Sequence, residues 1–202
     1  MARRQARTSF TVALILAVVL PVCAACAEDA FTPEPRLLLD QGQWAEAVTG
    51  YDRILKTSPD DAIALNNRGF ALHRLGQYQN AISDYDRALS IRPDWAVALN
   101  NRGRALRHLK RFGEAQVDFT RAIKAAPDDV HGWNNRGRTW ADMGEYKRGV
   151  LDLSKAIRLD PKYSYPYYNR GICYRALKEH KRADRDFDRA LKLGYPKEPK
   201  GD

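Results

Sequence analysis

The chain has 202 residues, 44% of them hydrophobic, and a formal net charge of +9 at pH 7. This apolar content excludes wholesale disorder, and the length suits one ordinary domain or one modest repeat array. Arg3, Arg4 and Arg7 carry three of the positive charges, so the remaining residues have a net charge of +6. An excess of this size suits an acidic or anionic partner, and it also serves solubility.

Residues 1–27 contain the three parts of a secretory signal. Met1–Arg7 is basic, Phe10–Leu20 is apolar apart from one threonine, and Ala25-Cys26-Ala27 is a small-x-small cleavage site. We therefore expect cleavage after Ala27 and a periplasmic or secreted protein.

Two other interpretations of this segment stay open. Ser9–Ala27 carries no charge, so the segment also suits an uncleaved membrane anchor whose basic end stays in the cytoplasm. Cys23-Ala24-Ala25 resembles a bacterial lipobox without its usual leucine, which would make Cys26 a lipidation site. All three interpretations place the body of the protein outside the cytoplasm, and the style of the sequence indicates a bacterium.

A tetrapeptide returns every 34 residues from position 66 onward. Its copies are Asn66-Asn67-Arg68-Gly69, Asn100-Asn101-Arg102-Gly103, Asn134-Asn135-Arg136-Gly137 and Tyr168-Asn169-Arg170-Gly171. One fixed period predicts that a single supersecondary unit is stacked several times.

Proline has the same period and predicts where helices end, because it cannot continue a helix and restricts the residue before it. The four residues are Pro59, Pro93, Pro127 and Pro161. Asp60, Asp94 and Asp128 follow the first three, and we expect their carboxylates to cap the next helices.

Within each unit, apolar residues have helical spacing twice. In the unit at 62–95 the two stripes are Leu65, Gly69, Leu72 and Ala81, Tyr85, Ala88. Gly76 lies between them and is expected to end the first helix with a positive φ angle. Small residues alternate with large ones at matched positions, which lets two helices approach closely and interlock.

These offsets resemble the tetratricopeptide repeat, a 34-residue helix-turn-helix unit. The resemblance covers roughly residues 35–195 and implies an all-α superhelix, a right-handed α-solenoid of about five such units. The expected divisions are a degenerate first repeat at 28–61, full repeats at 62–95, 96–129, 130–163 and 164–197, and a tail at 198–202. In the first unit, Pro33 and Pro35 leave only a short first helix, from about Arg36 to Gln41.

An arginine and an aspartate recur sixteen residues apart in four units. The pairs are Arg68 and Asp84, Arg102 and Asp118, Arg136 and Asp152, and Arg170 and Asp186. The first unit has Glu34 and Gly50 at these positions and so lacks both partners. Their joint presence and absence predicts an ion pair that bridges the two helices of a hairpin.

The last unit differs from the others at one position of its second helix. There, Asp184 replaces the residues Val48, Ile82, Gln116 and Val150. This polar change predicts that the final helix is its own cap, because a terminal repeat has no neighbour on one side.

The family resemblance implies that the first helix of each repeat lines a concave groove. In that family, asparagines matching Asn67, Asn101, Asn135 and Asn169 often bond to the main chain of an extended peptide. A side-chain amide both donates and accepts, so it can pair with a peptide group of any sequence. The alternative is that these asparagines bond to neighbouring helix backbone.

Residues three or four apart share a helix face and extend the predicted groove. The full set is Asn66, Asn67, Asn100, Asn101, Asn134, Asn135, Asn169, Arg104, Arg107, Arg138, Tyr165, Tyr168 and Arg175. Its basic centre and aromatic end suit a peptide with acidic residues and one or two apolar side chains.

No pattern of residues indicates catalysis or a metal site. The histidines (His73, His108, His131, His180) lack metal-ligand spacing and are interpreted as surface residues, with His131 near the groove edge. Cys173 aligns with small residues of other units and is expected to be buried. The acidic pair in Asp84-Tyr85-Asp86 is interpreted as a solvated face. We expect no enzyme, no cofactor, no metal and no small-molecule substrate.

The sequence therefore predicts a non-enzymatic protein–protein interaction scaffold that binds an extended segment of an envelope protein in its groove. Two alternatives stay open. One is binding of an anionic polymer, a nucleic acid or an envelope glycan, through the basic face. The other is a structural oligomer in which arrays stack end to end.

Overall fold

The computed structural model describes residues 34–196, and within this range the regular structure is ten α-helices. Their bounds are α1 Pro35–Asp40, α2 Trp44–Thr57, α3 Ala62–Arg74, α4 Tyr78–Ile91, α5 Ala96–His108, α6 Phe112–Ala125, α7 Val130–Asp142, α8 Tyr146–Leu159, α9 Ser164–Ala176 and α10 His180–Lys192. The predicted signal at 1–27 and tail at 198–202 lie outside the described residues. In the described part, no helix is long and apolar enough to cross a bilayer.

Consecutive helices form five hairpins, α1–α2 through α9–α10, and the second helix of each hairpin also packs against the first helix of the next. This order confirms the predicted all-α solenoid. The first helix is short, as expected, and Pro35 contacts the backbone position of Gly50 in α2.

Glycines in the first helices allow the two helices of a hairpin to approach. A Cβ atom built on Gly103 would lie 2.6 Å from the ring of Phe119, which is fully buried. Gly69 lies against Tyr85 and Gly171 against Phe187 in the same way. The alternation of small and large residues in the sequence is therefore the contact surface of each hairpin.

The turn between the helices of a hairpin requires a left-handed residue. Gly76 has a φ of 76° and Gly144 a φ of 78°, as the sequence predicts for the first of them. Gly42 in the first hairpin has a φ of 74°, and the equivalent residues of the two remaining turns are Lys110 and Lys178, with φ angles of 59° and 63°. A side chain in this region is strained, so two turns of the array carry a local cost.

The predicted N-caps are wrong by one residue. The caps are Asp61, Trp95, Asp129 and Tyr163, and only the two aspartates accept backbone hydrogen bonds through their side chains. Asp60 lies instead 3.6 Å from Arg87. The proline turn uses one more residue than expected before the helix begins.

The predicted arginine–aspartate pairs are confirmed. In all four, the arginine Nε and Nη2 donate to the two carboxylate oxygens, over 2.6 to 2.9 Å. The aspartates are buried, at 2% to 7% exposure. The hydrogen bonds that Arg68 donates to Asp84 hold the pKa of Arg68 above the usual arginine value.

The same arginines also join neighbouring hairpins. Nη1 of Arg68 donates to Asp52 at 2.6 Å, and Nη1 of Arg102 donates to Asp86 at 2.7 Å. In the next two units the acceptors are Thr120 and Ser154. The interpretation of Asp84 and Asp86 as a solvated face is therefore wrong for Asp84, which is buried, whereas Asp86 is exposed as predicted and pairs with a different arginine.

Candidate functional site

A polar cavity of about 400 Å³ lies across the first helices of the second, third, fourth and fifth hairpins. We call it the arginine–asparagine cavity. It is lined by Arg74, Val97, Asn100, Asn101, Arg104, Arg107, Asp129, His131, Asn134, Asn135, Arg138, Tyr163 and Tyr165. The helical period sets this composition, because the same face of α5 and α7 presents two asparagines and then an arginine.

The arginines of the cavity differ in their pairing. Arg107 is held by Asp142 of the next hairpin, with 2.9 Å between Nη1 and Oδ2. Arg104 has no ion-pair partner anywhere in residues 34–196 and is only partly buried. Asp129, the acidic residue of the lining, accepts a hydrogen bond from Asn100. The cavity therefore has an excess of positive charge.

Asparagines join neighbouring hairpins at two of three equivalent places. Asn101 donates to Oδ1 of Asn66 at 3.1 Å, and Asn169 donates to Oδ1 of Asn134 at 3.0 Å. At the middle place the corresponding bond, from Asn135 to Asn100, is absent. Asn100 turns its Nδ2 toward Asp129 at 3.2 Å, and its buried Oδ1 has no hydrogen-bond partner among the described residues.

The predicted groove residues divide into three groups. Asn100, Asn101, Asn134, Asn135, Arg104, Arg107, Arg138 and Tyr165 line the arginine–asparagine cavity. Tyr168 and Arg175 line a different one. Asn66, Asn67 and Asn169 bond within the scaffold, Asn67 to the hydroxyl of Tyr51. Sequence reasoning missed Val97 and Asp129 as cavity residues, whereas Arg74 and Tyr163 belong to the basic stripe and the aromatic end that the sequence predicts.

The second cavity, of about 570 Å³, lies at the C-terminal end, and we call it the C-terminal cavity. Its lining is mostly apolar and consists of Tyr168, Ile172, Arg175, Ala176, Phe187, Leu191, Tyr195 and Pro196. Aromatic contacts connect the two cavities. Tyr165 of the first lies 5.1 Å from Tyr195 of the second, between ring centroids.

His73 is a buried residue, so the prediction of a surface histidine is wrong for it. It is 3% exposed, and both ring nitrogens lack a hydrogen-bond partner among the described residues. Its ring lies edge-on to His108, with 5.1 Å between centroids. Burial, with added repulsion from the nearby Arg104, lowers the pKa of His73 to about 3. His131 and His180 are exposed, as predicted, and His131 lines the cavity.

The side chains that line the cavity are mainly hydrogen-bonding groups. Cys173 is fully buried, as predicted, and burial raises the pKa of its thiol to about 11, so it stays protonated. Residues 34–196 contain no cluster of three histidine, cysteine, aspartate or glutamate side chains able to hold a metal ion. Amides and guanidinium groups donate hydrogen bonds to carbonyl and carboxylate oxygens.

Comparison with known families agrees with the geometry. Models of the tetratricopeptide repeat match residues 60–128, 100–164 and 153–185, and a TPR repeat model matches residues 36–76. Together the matches run without a gap from residue 36 to residue 185. No curated protein sequence matches the chain.

Solved structures share the fold at low sequence identity. MamA 41-end from Desulfovibrio magneticus RS-1 has a TM-score of 0.70 and 24% identity, covering 82% of this chain and 93% of that one. A crystal structure of MamA has a TM-score of 0.69 and 20% identity, covering 81% and 95%. YrrB, described as a TPR protein with an unusual peptide-binding site, has a TM-score of 0.63 and 20% identity, covering 79% and 82%.

The stacked hairpins and the groove define an α-solenoid scaffold for protein–protein interaction. Within that class, the chain belongs to the tetratricopeptide repeat family.

Proposed function

We propose that the arginine–asparagine cavity binds an extended peptide segment of a partner protein. The chain acts as a non-enzymatic scaffold, and the peptide is recognised through its main chain and through acidic side chains.

The observation that carries this proposal is the open pair of amides in the cavity. Asn100 Oδ1 is buried and lacks a donor, and Asn135 Nδ2 makes no hydrogen bond within residues 34–196. A buried acceptor without a donor is unfavourable by about 1–3 kcal/mol. A peptide C=O supplies the missing partner of Asn135 Nδ2, since it accepts a hydrogen bond.

The charge of the cavity favours acidic side chains in that peptide. Arg104 is available for a carboxylate, whereas Arg107 already pairs with Asp142. A hydrogen bond between two charged groups is shorter and stronger than one between neutral groups. A peptide with an aspartate or glutamate near the Asn100–Asn135 pair therefore gains affinity from Arg104.

The tyrosines at one end supply an apolar wall. Tyr163 and Tyr165 lie 5.4 Å apart between ring centroids, and both are partly buried. Partly buried aromatic rings provide contact area with little loss of side-chain entropy. One apolar side chain of the peptide is expected here.

The proposed location of the protein rests on the first 27 residues, whose composition is typical of a secretory signal. On that basis we place the scaffold outside the cytoplasm and its partner among envelope proteins. Intact mass spectrometry of the exported protein tests this, since cleavage predicts a chain that begins at Glu28. A mass that includes Met1 would point to an anchor, and added lipid mass to acylation of Cys26.

Selection of peptides by phage display on the full chain tests the groove. We expect enrichment of aspartate and glutamate, and about tenfold weaker binding of a selected peptide to Arg104→Ala or Asn135→Ala. The matched control is Arg185→Ala, which also removes one positive charge, from the exposed face of α10. Equal binding by Arg104→Ala and Arg185→Ala would contradict the proposal.

A salt titration separates this function from binding of an anionic polymer. Polymer binding through the basic face is expected to fall steeply with salt and to ignore peptide sequence. Peptide binding is expected to fall less steeply with salt, since Arg104 contributes a single ion pair, and to respond to Asn135→Ala.

A further inference from the structure

The C-terminal end of the solenoid repeats the surface that packs between hairpins elsewhere. Three positions of each second helix face the next hairpin, and in α2 they are Val48, Asp52 and Leu55. Three of the four interior copies of the third position are buried, with Leu55 at 8%, Leu89 at 5% and Ile123 at 8% exposure, and the fourth, Ile157, is partly buried. In α10 the three residues are Asp184, Asp188 and Leu191, and Leu191 is 48% exposed.

The apolar part of this end has room for a helix face. Leu191 and Ile172 are both exposed and line the C-terminal cavity beside Phe187. In the interior, the corresponding Leu89 packs against Ala98 and Leu99 of the following first helix. The C-terminal cavity therefore lies where the first helix of a sixth repeat would pack.

The polar part of this end lacks an arginine. At the position of Asp188, each earlier second helix accepts a hydrogen bond from the arginine of the next hairpin. The acceptors are Asp52, Asp86, Thr120 and Ser154, over 2.6 to 3.2 Å. Asp188 is exposed, and no basic group of the described residues pairs with it.

We propose that this end binds one helix of another protein, which lies where the first helix of a sixth repeat would lie. An arginine of that helix pairs with Asp188, and its apolar side chains fill the C-terminal cavity. Asp184 adds a second carboxylate at a position that is Val48, Ile82, Gln116 or Val150 elsewhere. The partner helix is therefore amphipathic with a basic edge, and this surface is separate from the arginine–asparagine cavity.

Charge excludes the first hairpin of a second copy as the occupant. The arginine position of the first unit is held by Glu34, so end-to-end stacking would bring Glu34 toward Asp188. Two neighbouring carboxylates repel each other, whereas every interior interface has an arginine guanidinium at the position of Glu34. The first helix is also only six residues long, against thirteen in α3.

A stapled helical peptide that copies Ala96–His108 tests the proposal on the full chain. This segment carries Arg102 at the required position and packs in the same way inside the solenoid. Fluorescence anisotropy is expected to show binding, weakened about fivefold by Arg102→Glu in the peptide or by Asp188→Arg in the protein. The two changes together are expected to restore binding. Leu191→Asp is expected to weaken it by more than about tenfold.

Two controls separate this surface from folding and from the peptide groove. Asp188 and Leu191 are exposed, so their variants should keep the helical melting transition of the unaltered chain. Arg104→Ala in the full chain, with the peptide unaltered, should leave binding of the stapled helix unchanged. Failure of the stapled helix to bind, equal binding by its Arg102→Glu form, or loss of binding in Arg104→Ala would overturn the proposal. Self-association of the chain that Asp188→Arg abolishes would overturn it too.

Discussion

Nε and Nη2 of Arg102 donate to the two carboxylate oxygens of Asp118, at 2.7 and 2.6 Å. The Asp118 side chain is 3% exposed, so this pair connects α5 and α6 from inside the hairpin. The remaining nitrogen, Nη1, reaches Asp86 of the preceding hairpin, whose side chain is 56% exposed. One guanidinium therefore makes a buried bond within its repeat and an exposed bond between repeats.

Because Arg102 pairs with one buried and one exposed carboxylate, the contributions of the two pairs to stability can be compared. Asp118→Ala leaves the guanidinium of Arg102 partly buried and poorly paired, and we expect a loss of about 2–3 kcal/mol in the free energy of unfolding. Asp86→Ala removes an exposed pair and is expected to cost less than about 1 kcal/mol. Urea denaturation of both variants measures the difference, and equal losses would show that burial does not govern these pairs.

The turns allow a stabilising substitution. Lys110 holds a left-handed conformation that is unfavourable by about 1–2 kcal/mol for a residue with a side chain. Lys110→Gly removes that strain but adds freedom to the unfolded chain, so a net gain of up to about 1 kcal/mol is expected. Gly76→Lys, at the same position of another turn, should be destabilising by a similar amount. Thermal melting checks whether the two substitutions have opposite signs.

Substitution by alanine is expected to change the stability in opposite directions at two glycines. A Cβ atom on Gly103 would lie 2.6 Å from the Phe119 ring, so Gly103→Ala is expected to destabilise by about 1–3 kcal/mol. Gly113, in the first turn of α6, has no neighbouring atom within 4 Å of such a Cβ atom. Gly113→Ala should therefore stabilise by about 0.5–1 kcal/mol, through helix propensity. A loss of stability in Gly113→Ala would contradict the described packing.

Acid is expected to destabilise the protein through His73. Its pKa is about 3 in the folded protein, against the ordinary histidine value of 6.5 in the unfolded chain, so below pH 6.5 the unfolded chain binds a proton that the folded chain does not. Stability is then complete above pH 6.5 and falls as the pH decreases toward 3, by about 2 kcal/mol at pH 5. Denaturation of His73→Phe between pH 7 and pH 5 should show a smaller loss, while the exposed His180→Phe should behave as the unaltered chain.

Features inside one repeat could be predicted from the sequence, because they depend on spacing along a helix or across a hairpin. The Arg102–Asp118 pair and the burial of Cys173 were predicted in this way. The helix caps were predicted one residue early, since Trp95 and Tyr163 stand where an aspartate serves in the other units.

Contacts between repeats could not be predicted so well. The burial of His73 depends on His108 of the next hairpin, and the open amide of Asn100 depends on Asp129. His108 is matched by no histidine in another unit, and Asp129 is matched by an aspartate only at Asp61, so the period of the sequence carries no signal for these contacts. Most of the predicted groove residues repeat along the chain, but their division between cavity and scaffold is set by these differences.

The acceptors of the arginine Nη1 atoms change from acidic to neutral along the chain. Asp52 and Asp86 accept in the first two interfaces, whereas Thr120 and Ser154 accept in the last two. Dissolved ions screen the first kind of contact and leave the second almost untouched. High ionic strength should therefore destabilise the N-terminal interfaces more than the C-terminal ones. Amide hydrogen exchange at low and high salt would show which half of the solenoid loses its protection first.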